Sequence, residues 1–176
     1  MNGTTLRGRV WKFGDNVSGD DGIIEFSIVA AGFGKAFDEV ALRAMCFRRL
    51  RPEFPDQVRP GDIVVAGRNF AHHSHIEVPV AMKASGIAAV IVESAESAII
   101  RRALNIGLPF VTCPGIAAAV EDGEQMEADP ATGIIRVPSG QVLRARPYSP
   151  RMVEVWQAGG AIALLEKEHL ARQAQG

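Results

Sequence analysis

"DIVVAGRNFAHHSHIEVPVAMKASGIAAVIVES", residues 62 to 94, decides the fold class. Two short apolar runs, 62 to 67 and 87 to 94, have the length of buried strands. Between them, residues 77 to 86 carry a helical pattern closed by a glycine. The alternation continues with "AESAIIRRALNIG" (95 to 107), a second helix ended by Gly107, and "LPFVTC" (108 to 113), a third strand. Strand–helix–strand–helix–strand with short links implies parallel strands joined by right-handed crossovers. The class is α/β with a parallel βαβαβ core.

Outward from this core the signals weaken. Residues 6 to 14, "LRGRVWKFG", alternate apolar and polar and predict a half-buried strand. Residues 15 to 22, "DNVSGDDG", are loop chemistry, and residues 38 to 50 predict a helix. "RPEFPDQVRPGD" follows, with three prolines that predict an irregular connection. Residues 129 to 149 place turn signals around short β runs, which predicts a hairpin. Residues 150 to 173 have helical spacing broken at Gly159-Gly160, and the last few residues are expected to fray.

At 176 residues the chain suits one domain, 1 to 176, with a substantial core. A formal net charge of −1 offers no electrostatic case for nucleic acid or an anionic membrane. Arginine outnumbers lysine by 15 to 4, which suits fixed carboxylate contacts to an anionic small molecule, or reflects a GC-rich coding sequence. Cys46 and Cys113 are too few for an iron–sulfur cluster or a closed zinc site, and are expected to be buried small hydrophobes. No signal-peptide pattern and no run of 18 apolar residues occurs, so a cytoplasmic, soluble protein is expected.

Chemistry concentrates in "GRNFAHHSHIE", residues 67 to 77. In open α/β sheets, ligands gather beyond the carboxyl ends of the strands, where helix N-termini point. Ser74 and Glu77 fit an S-x-x-E capping box, and Pro79 is tolerated only in a first turn, so a helix is expected to start here. Such a start is a ready site for a carboxylate or phosphate, although most capping boxes only cap. His72, His73 and His75 are expected to line a polar pocket and donate to an anion; a transition-metal site and a solvated loop are the alternatives. Asp20 and Asp21 are candidates to approach the site, Arg68 to reach a carboxylate or a partner, and Arg101 to bind substrate. His169 is expected at the surface.

These segments resemble the small subunit of 3-isopropylmalate dehydratase, the swivelling domain of the aconitase superfamily. The resemblance runs from "FGDNVSGDDGI" to "AGGAIALL" and is collinear through "RPEFPDQVRPGDIVVAGRNF", "VAMKASGIAAVIVES" and "ALNIGLPFV". It implies the β/β/α swivelling architecture of the aconitase C-terminal domain. The functional motif differs. Where the family reads N-F-G-C-G-S-S-R-E, this chain reads "NFAHHSHIE". Asn69, Phe70, Ser74 and Glu77 are kept. Ala71 and His73 replace two glycines, His75 a serine, and Ile76 the substrate-binding arginine. The family's S-F-A-R-I-F-Y-R-N is "SAESAIIRR", with Ser94 and Arg101 kept and Ser97 in place of an arginine. Gly19 stands for a threonine in D-x-I-x-T-D.

The resemblance implies a hydro-lyase built of two subunits. Ser74 would act as an alkoxide base beside a carboxylate, while a [4Fe-4S] cluster on the large subunit binds the departing hydroxyl. This chain would hold no cluster and no metal, and alone would be inactive. Losing an arginine–carboxylate contact costs about 2–5 kcal/mol unless compensated, so the expected substrate is a hydroxy-dicarboxylate or related acid other than 3-isopropylmalate. The alternatives are a non-catalytic binding or regulatory module that kept the fold, and a His-dependent metal protein.

Overall fold

The computed structural model describes residues 3–27, 30 and 36–174. Four strands, β1 (Leu6–Lys12), β2 (Ile63–Ala66), β3 (Ala89–Val92) and β4 (Phe110–Thr112), are paired in parallel. Three more, β5 (Gln125–Asp129), β6 (Ile134–Arg136) and β7 (Val142–Arg144), continue the sheet antiparallel from the other side of β1. The order is β4-β3-β2-β1-β5-β6-β7. The expected parallel core is present, and β1 joins it as a fourth strand. The expected hairpin is β6–β7, and β5 extends it to a three-stranded meander.

The helices between the strands are α1 (Glu39–Met45), α2 (Phe54–Gln57), α3 (Glu77–Ala84) and α4 (Ser97–Asn105). After β4 come α5 (Ile116–Ala119), α6 (Pro150–Gln157) and α7 (Ala161–Gln173). The segment expected to be irregular, 51 to 62, contains one helical turn, because Pro55 sits in the first turn of α2 where its missing N–H costs nothing. The helix expected over 38 to 50 is shorter. Asp38 caps it by accepting from Ala41 N at 2.9 Å, and Phe47 takes a left-handed φ of +53° that ends it.

Strand alternation sends side chains to two cores. Val64, Ala66, Val90 and Val92 face α1, α3 and α4, together with a cluster of phenylalanines. There Phe13 stacks on Phe47 at 4.1 Å, and Phe47 meets Phe54 edge-on at 4.9 Å. Ile63, Val65, Ala89 and Ile91 face the opposite side, against Ile116, Met126 and Ile135. Both cores are needed because β2 and β3 are buried on both faces, as their unbroken apolar runs require.

Two devices close the ends of this arrangement. The Gly159-Gly160 break packs against the end of α4: a Cβ on Gly107 would lie 2.4 Å from Gly159 C, and one on Gly160 would lie 2.5 Å from Asn105 O. β4 is an edge strand, and the buried Tyr148 covers it. Its hydroxyl accepts from Phe110 N at 2.8 Å and donates to Phe110 O at 3.2 Å, and burial pushes its pKa up to about 12. An open backbone rung is thereby satisfied.

At the amino end of the parallel strands lies Asp62, 4 % exposed. It accepts from Arg9 Nη2 (2.8 Å), Trp11 Nε1 (2.8 Å) and Arg59 N (3.0 Å). Burial opposes its ionisation, but the three donors outweigh burial and hold the carboxyl below its usual value. With the folded pKa depressed, its contribution is full above the unfolded value of about 4 and is lost as pH falls through the folded one. Asp62→Asn is therefore expected to lose about 1–3 kcal/mol at neutral pH and to show a flatter decline in stability below about pH 4. Urea unfolding across that range checks it; parallel curves for the two proteins would refute the assignment.

Candidate functional site

The backbone pairing of the parallel strands does not stop where the strands stop. Beyond β1 and β2 it continues through Phe13 N to Val65 O (2.8 Å), Gly67 N to Gly14 O (3.2 Å) and Asn16 N to Arg68 O (2.8 Å). It ends at Gly19 N donating to His72 O at 2.8 Å. On the other side, Phe70 N donates to Ser94 O and Asn69 N to Ser94 Oγ, both at 3.0 Å. The loop 67 to 77 is thus held between the loops that follow β1 and β3, at the carboxyl ends of the strands.

This stitching bends the loop sharply. Asn69, Ala71 and His73 have φ of +54°, +56° and +48°, a region that side chains other than glycine and asparagine enter at a cost. The expected capping box does not form. α3 begins at Glu77, its N-cap is Ile76, and no side chain caps it. Ser74 lies three residues before the first helical residue instead of one, out of reach of the first-turn amides. Pro79 falls in the first turn, as its ring demands. Glu77 is left with its Oε2 buried and without a hydrogen-bond partner among the described residues.

Ser74 is half-buried, and its hydroxyl makes no hydrogen bond among the described residues. Its Cβ sits against Gly19, where an added Cβ would come within 2.6 Å of it. From α4, Arg102 Nη1 donates to Ser74 O at 2.6 Å. His75 Nδ1 lies 2.9 Å from the Asp20 carboxylate, and its ring is 5.2 Å from that of Phe26. Asp20 is 8 % exposed, sitting in a single π-helical turn, Gly19–Ile23, that the loop reading of 15 to 22 did not anticipate.

The other expected site residues are less concentrated. His72 Nδ1 meets Asn69 O at 3.1 Å, its ring is 5.0 Å from that of His73, and His73 is exposed. The exposed Arg68 reaches Asp15 at 3.3 Å rather than the centre of the loop. The Arg68 backbone N–H holds the Asp15 carboxyl below its usual range. Arg101 is exposed on α4, and it is its neighbour Arg102 that touches the loop. Neither Arg102 nor the Asp20–His75 contact has a sequence signature, since each depends on which residues the sheet brings face to face. Asp21 is exposed, 3.8 Å from Arg49.

Among the described residues, no group of three or more His, Cys, Asp or Glu side chains is placed to hold a metal ion. Cys46 and Cys113 are both fully buried, in different cores, and burial pushes both thiols up, Cys46 to about 12. Two protonated thiols on opposite sides of the sheet do not fit an iron–sulfur cluster. Among the described residues no helix is long and apolar enough to cross a membrane.

A scan against models of protein families finds no match. Curated relatives match almost end to end. The 3-isopropylmalate dehydratase small subunit 1 of Methanopyrus kandleri is 38% identical over 165 residues, covering 93% of this chain and 94% of the relative. The chain belongs to the 3-isopropylmalate dehydratase small-subunit family. The isopropylmalate/citramalate isomerase small subunit of Methanocaldococcus jannaschii is 36% identical over 165 residues, 93% of this chain and 95% of the relative. The methanogen homoaconitase small subunit of Methanothermobacter thermautotrophicus is 38% identical over 159 residues, 89% and 88% of the two chains. The crystal structure of a 3-isopropylmalate dehydratase from Methanocaldococcus jannaschii superposes with a TM-score of 0.85 at 29% identity, covering 98% of this chain and 99% of the other. The fold is the aconitase-type swivelling domain.

The loop of this chain holds non-glycine residues in a backbone conformation that favours glycine. Ala71 and His73 stand at the two glycine positions of the family pattern and are two of the left-handed residues. His73 is exposed and its replacement by glycine removes no core contact. The variant His73→Gly is expected to unfold at equal stability or up to about 1 kcal/mol higher, relief of strain exceeding the entropy cost of glycine. A clear loss of stability in urea unfolding would refute the strain.

Proposed function

We propose that this chain is the small subunit of a two-subunit aconitase-type hydro-lyase that dehydrates, hydrates or isomerises a hydroxy-dicarboxylate or related acid. Residues 1 to 176 form one swivelling domain, active in the cytoplasm with a large subunit that carries the [4Fe-4S] cluster. The observation that supports it best is the placement of Ser74. A half-buried hydroxyl, unengaged among the described residues, stands at the strand carboxyl ends, on a loop held by its neighbours on both sides.

Ser74 is assigned the proton transfer. As alkoxide it takes the proton from the carbon beside a carboxylate. The C–H electron pair becomes the double bond as the adjacent C–O bond breaks with its pair on oxygen, the leaving hydroxide being the group for which the cluster of the large subunit would supply a Lewis acid. Hydration runs the same path in reverse. An alkoxide needs fixed positive potential. Here Arg102, donating to the Ser74 carbonyl, supplies it. His72, His73, His75, Arg68 and Arg101 are assigned to the substrate-facing surface, with Arg68 and Arg101 toward its rim and His75 oriented by Asp20. Ile76 packs against the core instead of presenting a guanidinium, and with histidines at 73 and 75 beside it the substrate-facing side chains are altered, which favours an acid other than 3-isopropylmalate.

That same Ile76 favours a second reading, a regulatory module that kept the fold without the chemistry. Tagged chain is expected to co-purify with a cluster-bearing large subunit, and the complex, not the isolated chain, to turn over hydroxy-acids. Ser74→Ala in the intact complex is expected to lower kcat by about 10²–10⁴-fold. Turnover by the chain alone would rule out the division of labour between two subunits, and a complex indifferent to Ser74→Ala would sink the catalytic role of Ser74 and favour the module.

A further inference from the structure

Successive residues on a helix point about 100° apart, so of Arg101 and Arg102 only one can face the loop before α3. Ile99 and Ala103 are buried on α4, and Arg102 lies beside them, half-buried, while Arg101 points to solvent. Three arginines of the chain are withdrawn from solvent: Arg9, Arg51 and Arg102. Arg9 is paired with Asp62 at 2.8 Å, and Arg51 with Glu53 at 2.6 Å and Asp122 at 3.1 Å. Arg102 has no carboxylate partner among the described residues. One of its donors meets Ser74 O, and no other is engaged there.

A guanidinium carries five donors in a rigid fork, and removing it from water without an anion is unfavourable. One bond to a backbone carbonyl fixes the plane of the group and leaves its charge uncompensated. That charge stands at the residue whose hydroxyl is unengaged, at the carboxyl ends of the strands. A planar two-oxygen anion is the ligand this geometry accepts. The sequence motifs agree with a relocation. Ile76 stands where the family pattern has arginine, and Arg102 stands where S-F-A-R-I-F-Y-R-N ends in asparagine. In this chain the guanidinium at the loop comes from the neighbouring helix and not from the loop itself.

We propose that Arg102 is the residue that binds a substrate carboxylate in this protein, taking over from α4 the role that position 76 has lost. The proposal rests on the hydro-lyase reading but is tested apart from turnover. The full chain, ¹⁵N-labelled and without partner, is titrated with malonate against chloride at constant ionic strength. Saturable shifts are expected in the Arg102 side chain and in residues 72 to 76, and none with neutral malonamide. Arg102→Asn is expected to weaken binding at least about tenfold, Arg102→Lys to retain part of it, and Arg102→Asn with Ile76→Arg to restore it. Restoration separates anion binding from mere support of the Ser74 carbonyl, which an arginine at 76 would not replace. If Arg102→Asn does not fold, as its spectrum shows, Arg102→Lys carries the comparison. No saturable shift in the unaltered chain, equal affinity across the folded variants, or equal response to malonamide would overturn the proposal. Failure of the catalytic reading would appear instead in co-purification and in Ser74→Ala, neither of which uses malonate.

Discussion

Gly19 N donating to His72 O, together with Phe70 N donating to Ser94 O, extends the β1–β2 and β2–β3 pairing beyond the strands themselves. Every feature of the loop from 67 to 77 depends on these bonds. A free loop of that length would relax its left-handed residues into ordinary conformations, at a gain of about 1 kcal/mol or more for each non-glycine. Held on both sides by backbone bonds, it cannot, and Ser74 is fixed ahead of α3 instead of capping it. The same bonds bring Gly19 against Ser74, where the lack of a side chain at 19 leaves room for the turn.

From that placement follows the electrostatics of the region. Two acidic groups, Asp20 and Glu77, and one guanidinium without a carboxylate partner among the described residues, Arg102, lie on three elements that share no sequence proximity: the π-turn, the start of α3 and the body of α4. Asp20 is committed to His75, which orients that imidazole. Glu77 keeps one oxygen buried and unbonded among the described residues. Arg102 is thus the cation in contact with the Ser74 carbonyl, while the Asp20 carboxylate is engaged by His75. The rest of the molecule supports this end of the sheet through rigidity: β2 and β3 are buried on both faces, and Tyr148 satisfies the edge of β4.

The relatives named for isopropylmalate, citramalate and homoaconitase chemistry share this framework at 36–38% identity, so the scaffold accommodates different acids. In this chain the loop carries an exposed histidine at 73, a half-buried one at 75, and Ala71 and Ile76 turned toward the core. Histidine at 73 and 75 and isoleucine at 76 alter hydrogen bonding and charge while the strands beneath keep their apolar pattern. Side chains at these positions can vary at little cost to the strands beneath, because the loop backbone is held by main-chain bonds to the segments after β1 and β3.

The sequence by itself determined the parallel core. The apolar runs at 62–67, 87–94 and 108–113 and the glycine stops at 86 and 107 act through local periodicity and local backbone freedom, and each has its counterpart in the structure. The break at Gly159-Gly160 was legible for the same reason. The motif also located the strand end that carries Ser74. Its geometry was not legible: the capping box matched in spacing, yet contacts from 19 and 102 pulled Ser74 away from the helix. Arg101 and Arg102 are equivalent as letters, and only the packing of α4 on the sheet separates the one in solvent from the one on the loop. Asp20 and His75 meet across 55 positions for a similar reason. Periodicity reports which face of an element is buried, but which residues from distant elements meet is fixed by the order of strands in the sheet, and that is a property of the whole chain.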